Sequence, residues 1–259
     1  MHIRYGYSLD LEQPDASVVT AILDVHPAQR GDITQPEEIM ARSLSEGRSV
    51  GVKAIDQDEN GNLLRRYEVL PGGLRIEGEG VIFNSGFADS GRPVGAPKPT
   101  ADLPIDVVPF LLPSRNCPEG ELTERAWSLF RHVPAGGDQV MAICDYVNRK
   151  LQLASSGLMP SRTAGEALQE GTASMDDFAH VAIAFCRALD IPARYCRGYM
   201  LGPEGGANLC GHSFCAWLEV FLDDGWWTAD ALAMDARIGR ILVARGADAA
   251  DAPLLSGSP

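Results

Sequence analysis

The chain lacks any apolar run approaching the roughly 18 residues that a membrane-spanning helix requires. Its opening residues, MHIRYGYSLDLEQP, contain no apolar stretch of the signal-peptide kind. A cytoplasmic protein is the expectation. Basic charge is also scarce: 22 Lys and Arg face 35 Asp and Glu, for a net charge of −13. That balance excludes a broad nucleic-acid or anionic-membrane surface, so neither is expected as a partner. There is no CxxC pair, no tight Cys/His ligand spacing, no internal repeat and no low-complexity tract. The six cysteines, mostly among apolar neighbours, are expected to be reduced and buried.

What is present reads as an ordinary globular protein of 259 residues, with 45% apolar and 22% charged residues, long enough for one large domain or two modest ones. Residues 1–95 are β-rich. The segment from His2 to Leu9 alternates with period two, Val18 to Val25 is an apolar run, and Val50 to Ile55 and Leu63 to Leu70 flank the turn signal Asp58-Glu59-Asn60-Gly61-Asn62. Pro71-Gly72-Gly73 turns the chain into another strand. Short strands at this spacing predict a β-sandwich-like domain. Residues 96–106, in a Gly- and Pro-dense tract, read as the linker, and 107–259 as the second domain. Helices are predicted over 121–130, over 138–150 with Asp138 as N-cap, and from Ser161 through Leu168. A strand is predicted over 237–245, and the tail from Pro253 is expected to fray.

The centre of the second domain is the stretch from Thr172 to Tyr199, TASMDDFAHVAIAFCRALDIPARYCRGY. Asp176 and Asp177 suit a first helical turn, where acidic side chains complement the dipole. From Phe178 to Leu189 only His180 and Arg187 are strongly polar, so the helix is buried on nearly every face. Asp190-Ile191-Pro192 ends it, and a strand follows from Ala193. Ser213 to Leu222 and Trp226 to Asp230 read as a hairpin around Asp223-Asp224-Gly225.

Asp177-Phe178-Ala179-His180, Ile191-Pro192-Ala193-Arg194-Tyr195 and Gly198-Tyr199 resemble the transglutaminase-like superfamily, in its bacterial cysteine-peptidase-like branch. There a G-V-C-x-D-F-A-H segment opens the core helix and I-P-A-R-Y-x-x-G-Y follows. Val107 to Arg115 is similar to that branch's Y-L-L-P-S-R entry, Ala216-Trp217-Leu218-Glu219-Val220 to its H-A-W-x-E-V, Gly225 to Asp230 to its G-W-x-x-x-D, and Gly246 to Asp251 to its G-R-D-A-A-D. The resemblance implies an α+β protein, with a papain-like core in which a buried helix packs on an antiparallel sheet.

It also implies a Cys-His-Asp triad, whose positions here hold Met175, Cys215 and Asp230. A thioether cannot be deprotonated to a nucleophile, and no imidazole stands at the base position. The implied reading is a pseudoenzyme with a degenerate triad that binds a peptide, protein or small amide ligand in the old cleft. The alternative is a hydrolase or acyl transferase rebuilt around Cys215 or Ser174, with His180 or His212 as substitute base. Against these roles stand plainer ones: Ser174 as an N-cap, His180 as a buried histidine bonded to backbone, and Glu219 as an exposed sheet residue. Trp217 and Trp227 are candidates to line the cleft, or are packing residues. Met175 and Cys215 together would suit a soft metal such as Cu(I), but two sulfurs filling a vacated site is the simpler account. No cofactor or metal is expected, and the oligomeric state is open.

Overall fold

The computed structural model describes residues 1–89, 92–120, 122–154, 161–202, 214–234 and 237–258. They form two units. The first is Met1–Phe87 with Gly239–Ala244 and Ala252–Pro259, and the second is Ala88–Ile238 with Arg245–Asp251.

Strands build the first unit: β1 (His2–Leu11), β2 (Ser17–Ala21), β3 (Ile33–Ser43), β4 (Val52–Gln57), β5 (Leu63–Val69) and β6 (Leu74–Phe83). One sheet has the order β1-β6-β3. The other runs from the C-terminal strand, Leu255–Ser258, through β2 and β5 to β4. Alternation explains the burial: Ile3 and Tyr5 on β1, and Leu74, Ile76 and Ile82 on β6, point inward while their neighbours face solvent. The β4–β5 hairpin closes as its sequence predicts. Asp58 Oδ1 accepts from the Asn60 and Asn62 N–H groups, and Gly61 takes a positive φ of 84°.

Three features of this unit differ from the expectations. The segment ITQPEEIMARS is a strand although it is polar and contains Pro36. It lies at a sheet edge, with register shifts between Gln35 and Glu38, where a proline removes no ladder bond. The tail does not fray: Leu255 pairs with Ala21 and Gly257 with Val19. Those bonds attach residues from Ala252 onward to the first unit, not to the second as read from sequence.

Among its described residues the second unit has four α-helices, α1 (Thr123–Phe130), α2 (Gly137–Lys150), α3 (Ala164–Glu170) and α4 (Met175–Ala188). A two-residue parallel pair, β7 (Gln152–Leu153) with β8 (Thr172–Ala173), precedes α4. Then come β9 (Ala193–Tyr199), β10 (Cys215–Leu222) and β11 (Gly225–Ala229), antiparallel neighbours in the order β11-β10-β9. The combination of helices and antiparallel sheets is α+β, as expected. α4 is the most buried helix of the unit: Val181, Ala182, Ile183, Phe185 and Cys186 are fully enclosed. Phe185 packs edge-on against Phe130 of α1 and Tyr146 of α2. The helix ends as read, with Asp190 in a left-handed conformation before Ile191-Pro192. α2 departs from its predicted cap: Gly136 is the N-cap, and Asp138 sits inside the first turn, where its charge still favours the dipole. The strand predicted over 237–245 is Ile241–Gly246.

Gly73 shows how closely backbones approach in the first unit. Its φ is 105°, and an added Cβ would lie 2.1 Å from the carbonyl oxygen of Leu11, an atom that cannot move aside cheaply. Gly73→Ala is expected to destabilise the protein by roughly 2–4 kcal/mol. Chemical denaturation checks this, and an unchanged midpoint would contradict the packing described.

Candidate functional site at the start of the buried helix

Ser174 caps α4. Its Oγ accepts from the Asp177 N–H at 3.2 Å, and Asp177 Oδ2 accepts from the Ser174 N–H at 2.8 Å, so the two residues close a reciprocal box. The Asp177 carboxylate also takes Arg162 through Nη2 at 2.8 Å and Nε at 3.2 Å, with both side chains 6% exposed. Arg162 donates further to the Thr172 carbonyl and to Glu170. One buried guanidinium therefore fixes the segment leading into the helix.

Met175 is the first helical residue and is half-buried. Beside it, Asp176 is held from the sheet. Tyr195 Oη donates to its Oδ1 at 2.6 Å, Arg197 Nη2 donates to its Oδ2 at 3.0 Å, and Arg197 Nε donates to Tyr195 Oη at 2.9 Å. Burial alone would raise the Asp176 pKa, but Arg197 and the Tyr195 hydroxyl outweigh it and hold the carboxyl below its usual range. Burial drives Tyr195 the other way, well above the ordinary phenol, so it stays a donor.

His180 is 2% exposed, its ring 5.5 Å from that of Tyr195. Its Nε2 accepts from the Ala249 N–H at 3.1 Å, which puts the ring proton on Nδ1, and Nδ1 finds no partner among the described residues. Burial lowers the His180 pKa against the pull of Asp176, Asp248 and Asp177. The imidazole is neutral, and its accepting nitrogen is already occupied. This is the buried, backbone-bonded histidine of the plainer reading.

Cys215 opens β10 opposite Gly198. The register sets Cys215, Trp217 and Glu219 on one face of the sheet. Ala216 and Leu218 share the other face with Arg197 and Tyr195, from which those two side chains reach Asp176. Cys215 is 1% exposed and disulfide-bonded, whereas Cys117, Cys144, Cys186 and Cys196 are free and buried. The expectation of wholly reduced cysteines fails at Cys215. Asp230 follows β11, and its Oδ1 accepts from the Leu232 N–H at 2.9 Å and the Ala233 N–H at 2.8 Å, closing a turn.

Trp217 is 2% exposed and so lies in the interior, while Trp227, opposite Val220, is half-buried. Glu219 is not an exposed sheet residue. It pairs with Arg194 at 2.6 Å and Arg245 at 3.3 Å, and these cations overcome the effect of burial to lower its pKa. Arg194 also stacks over the Trp226 ring at 3.8 Å. His212 lies outside the described residues. Among the described residues, no group of three or more His, Cys, Asp or Glu side chains could hold a metal ion.

Residues 126–231 match the family model of the transglutaminase-like superfamily. The matched segment lies within the second unit. No curated protein matches the chain significantly. Among solved structures, a protein from Cytophaga hutchinsonii proposed to be a cysteine protease aligns over 100% of this chain and 88% of its own, with TM-score 0.78 and 20% identity. At that identity the likeness shows the fold, a papain-like transglutaminase arrangement. The periplasmic domain of TgpA from Pseudomonas aeruginosa is similar more loosely, with TM-score 0.41 and 13% identity over 88% of this chain and 93% of its own.

The residues that meet at the core helix are thus Asp176, Tyr195, Arg197, Asp177 and Arg162. Sequence reasoning did not single out the first three as a set. The available signal was Tyr195 and Arg197 two apart on a strand, one turn of chain beyond a helix that starts with two acids. Two outcomes follow from this geometry. Arg197→Ala leaves a partly exposed carboxylate and a phenol without their cation and is expected to cost about 2–3 kcal/mol. Ser174→Ala, which removes only the cap, is expected to cost about 1 kcal/mol. Denaturation of both variants checks the order, and a Ser174 effect equal to that of Arg197 would contradict it.

Proposed function

We propose that this protein is a transglutaminase-like pseudoenzyme that binds a peptide, protein or small amide ligand without running the Cys-His acyl chemistry suggested by its resemblance. The observation that carries the reading is the start of α4, where Met175 occupies the first helical position and, among the described residues, no side chain near it is poised as a nucleophile. The Ser174 hydroxyl is committed as a cap, and among the described residues no imidazole is bonded to it to take its proton. Cys215 is tied up in a disulfide, so it has no thiolate to offer. His180 uses its one acceptor nitrogen on backbone. These facts speak against an enzyme rebuilt around Ser174 or Cys215.

The ligand class rests on the fold and on what remains near the helix start: a thioether, a partly exposed carboxylate at Asp176 with 37% of its side-chain surface accessible, and the first N–H groups of α4. No helix among the described residues is long and apolar enough to cross a membrane. The disulfide at Cys215 favours an oxidising compartment over the cytoplasm expected from sequence, since cytosolic thiols are kept reduced.

Hydrolysis and transamidation assays on peptide and amide substrates test the reading. No turnover above background is expected, with or without reductant. Steady turnover abolished by Ser174→Ala or Cys215→Ala would overturn it.

A further inference from the structure

The first unit holds a buried polar cluster that the reading above does not use. Asp24, 4% exposed, binds Arg65 with both oxygens, from Nε at 2.8 and 3.1 Å and from Nη2 at 2.7 Å. Glu37 of β3 approaches the same place from the other sheet. Its two oxygens share the Val25 N–H at 3.2 and 3.1 Å, and the Tyr5 hydroxyl of β1 lies nearby, both side chains bordering the space over Gly80. The groups around Glu37 are therefore Tyr5 from β1, Asp24 after β2 and Arg65 from β5, with Tyr67 of β5 and Tyr7 of β1 flanking Arg65.

The sequence of β6 makes room for this. Gly80 pairs with Tyr5, and a Cβ there would lie 2.5 Å from Tyr5 Oη and 3.2 Å from Glu37 Cγ. Gly78 does the same for the Tyr7 ring. Two carboxyls thus meet one guanidinium inside a two-sheet domain. Asp24 takes that cation with a two-pronged contact, while Glu37 accepts from a neutral donor, the Val25 amide.

We propose that Glu37 is a pH-responsive latch between the two sheets, closed when its carboxyl carries a proton and loosened when it ionises. In the closed state the protonated carboxyl keeps the Val25 N–H beside Tyr5, so the segment after β2 is held to β3 without a buried net charge. Loss of the proton leaves two carboxylates against one arginine. Burial first, and then the charge of Asp24, push Glu37 up to about 7, against the pull of Val25, Tyr5 and Arg65. Tyr5 is pushed up too, chiefly by burial, so it does not supply the negative charge itself. A carboxyl raised in the fold binds its proton more tightly there than in the unfolded chain. The latch therefore stabilises fully below about pH 4.5, and that contribution is lost as pH rises toward 7.

Hydrogen exchange of the full chain, read on peptides from β1 and β3 and corrected for intrinsic rates, tests this at pH 6 and pH 8. The opening equilibrium of those peptides is expected to rise about tenfold from pH 6 to 8. Glu37→Gln keeps an acceptor and a donor without a charge and is expected to flatten the response. A flat wild type, or a slope retained in Glu37→Gln, overturns the proposal. Carbon NMR of the wild-type glutamate carboxyls needs no variant: one is expected to titrate near neutrality, and titration of every one in the ordinary acidic range overturns the proposal equally.

Discussion

Two adjacent carboxylates at the start of one buried helix tie the second unit together. A helix enclosed on nearly every side must still satisfy its first N–H groups, and its dipole favours negative charge there. Asp177 turns inward to the cap and to Arg162, which reaches the segment before the helix. Asp176 turns to the sheet and takes Tyr195 and Arg197. The helix start is thereby tied on one side to the chain that enters it and on the other to β9. Breaking the Arg162 pair would strand the Asp177 carboxylate where water is largely excluded, while Asp176, partly exposed, would lose its cation nearer to solvent. The same network occupies the neighbourhood in which a papain-like enzyme would activate a thiol.

That arrangement bears on what the start of α4 can do chemically. A thiolate at a helix N-terminus draws on the dipole and on nearby cations. Here the cation is Arg197, and Asp176 already neutralises it, so the electrostatic resource is spent on structure. Met175 adds bulk without charge. Asp230 closes a turn through the Leu232 and Ala233 N–H groups.

Much of this was legible in the sequence where local chemistry decides the outcome. The all-apolar stretch from Phe178 could only be a buried helix, Asp190-Ile191-Pro192 had to end it, and the Asp58 and Asp223 turns announced their hairpins. The triad-equivalent positions could be numbered from the flanking motifs alone. What escaped reading depends on partners distant in the chain. β3 carries a proline and few apolar residues, and its strand character comes from pairing with β6. The C-terminal strand is short and rich in small residues, and β2 supplies its order. Tyr195 and Asp176 are 19 residues apart and meet only because β9 folds back along α4. The disulfide at Cys215 had no spacing signature to betray it.

The central claim is that no residue at the start of α4 can form an acyl-enzyme. Intact-mass measurement after incubating the unreduced protein with a peptide thioester tests it most directly, because a covalent intermediate is seen even when turnover is slow. The account predicts an unchanged mass. An acyl adduct mapping to Ser174 or Cys215 would contradict it.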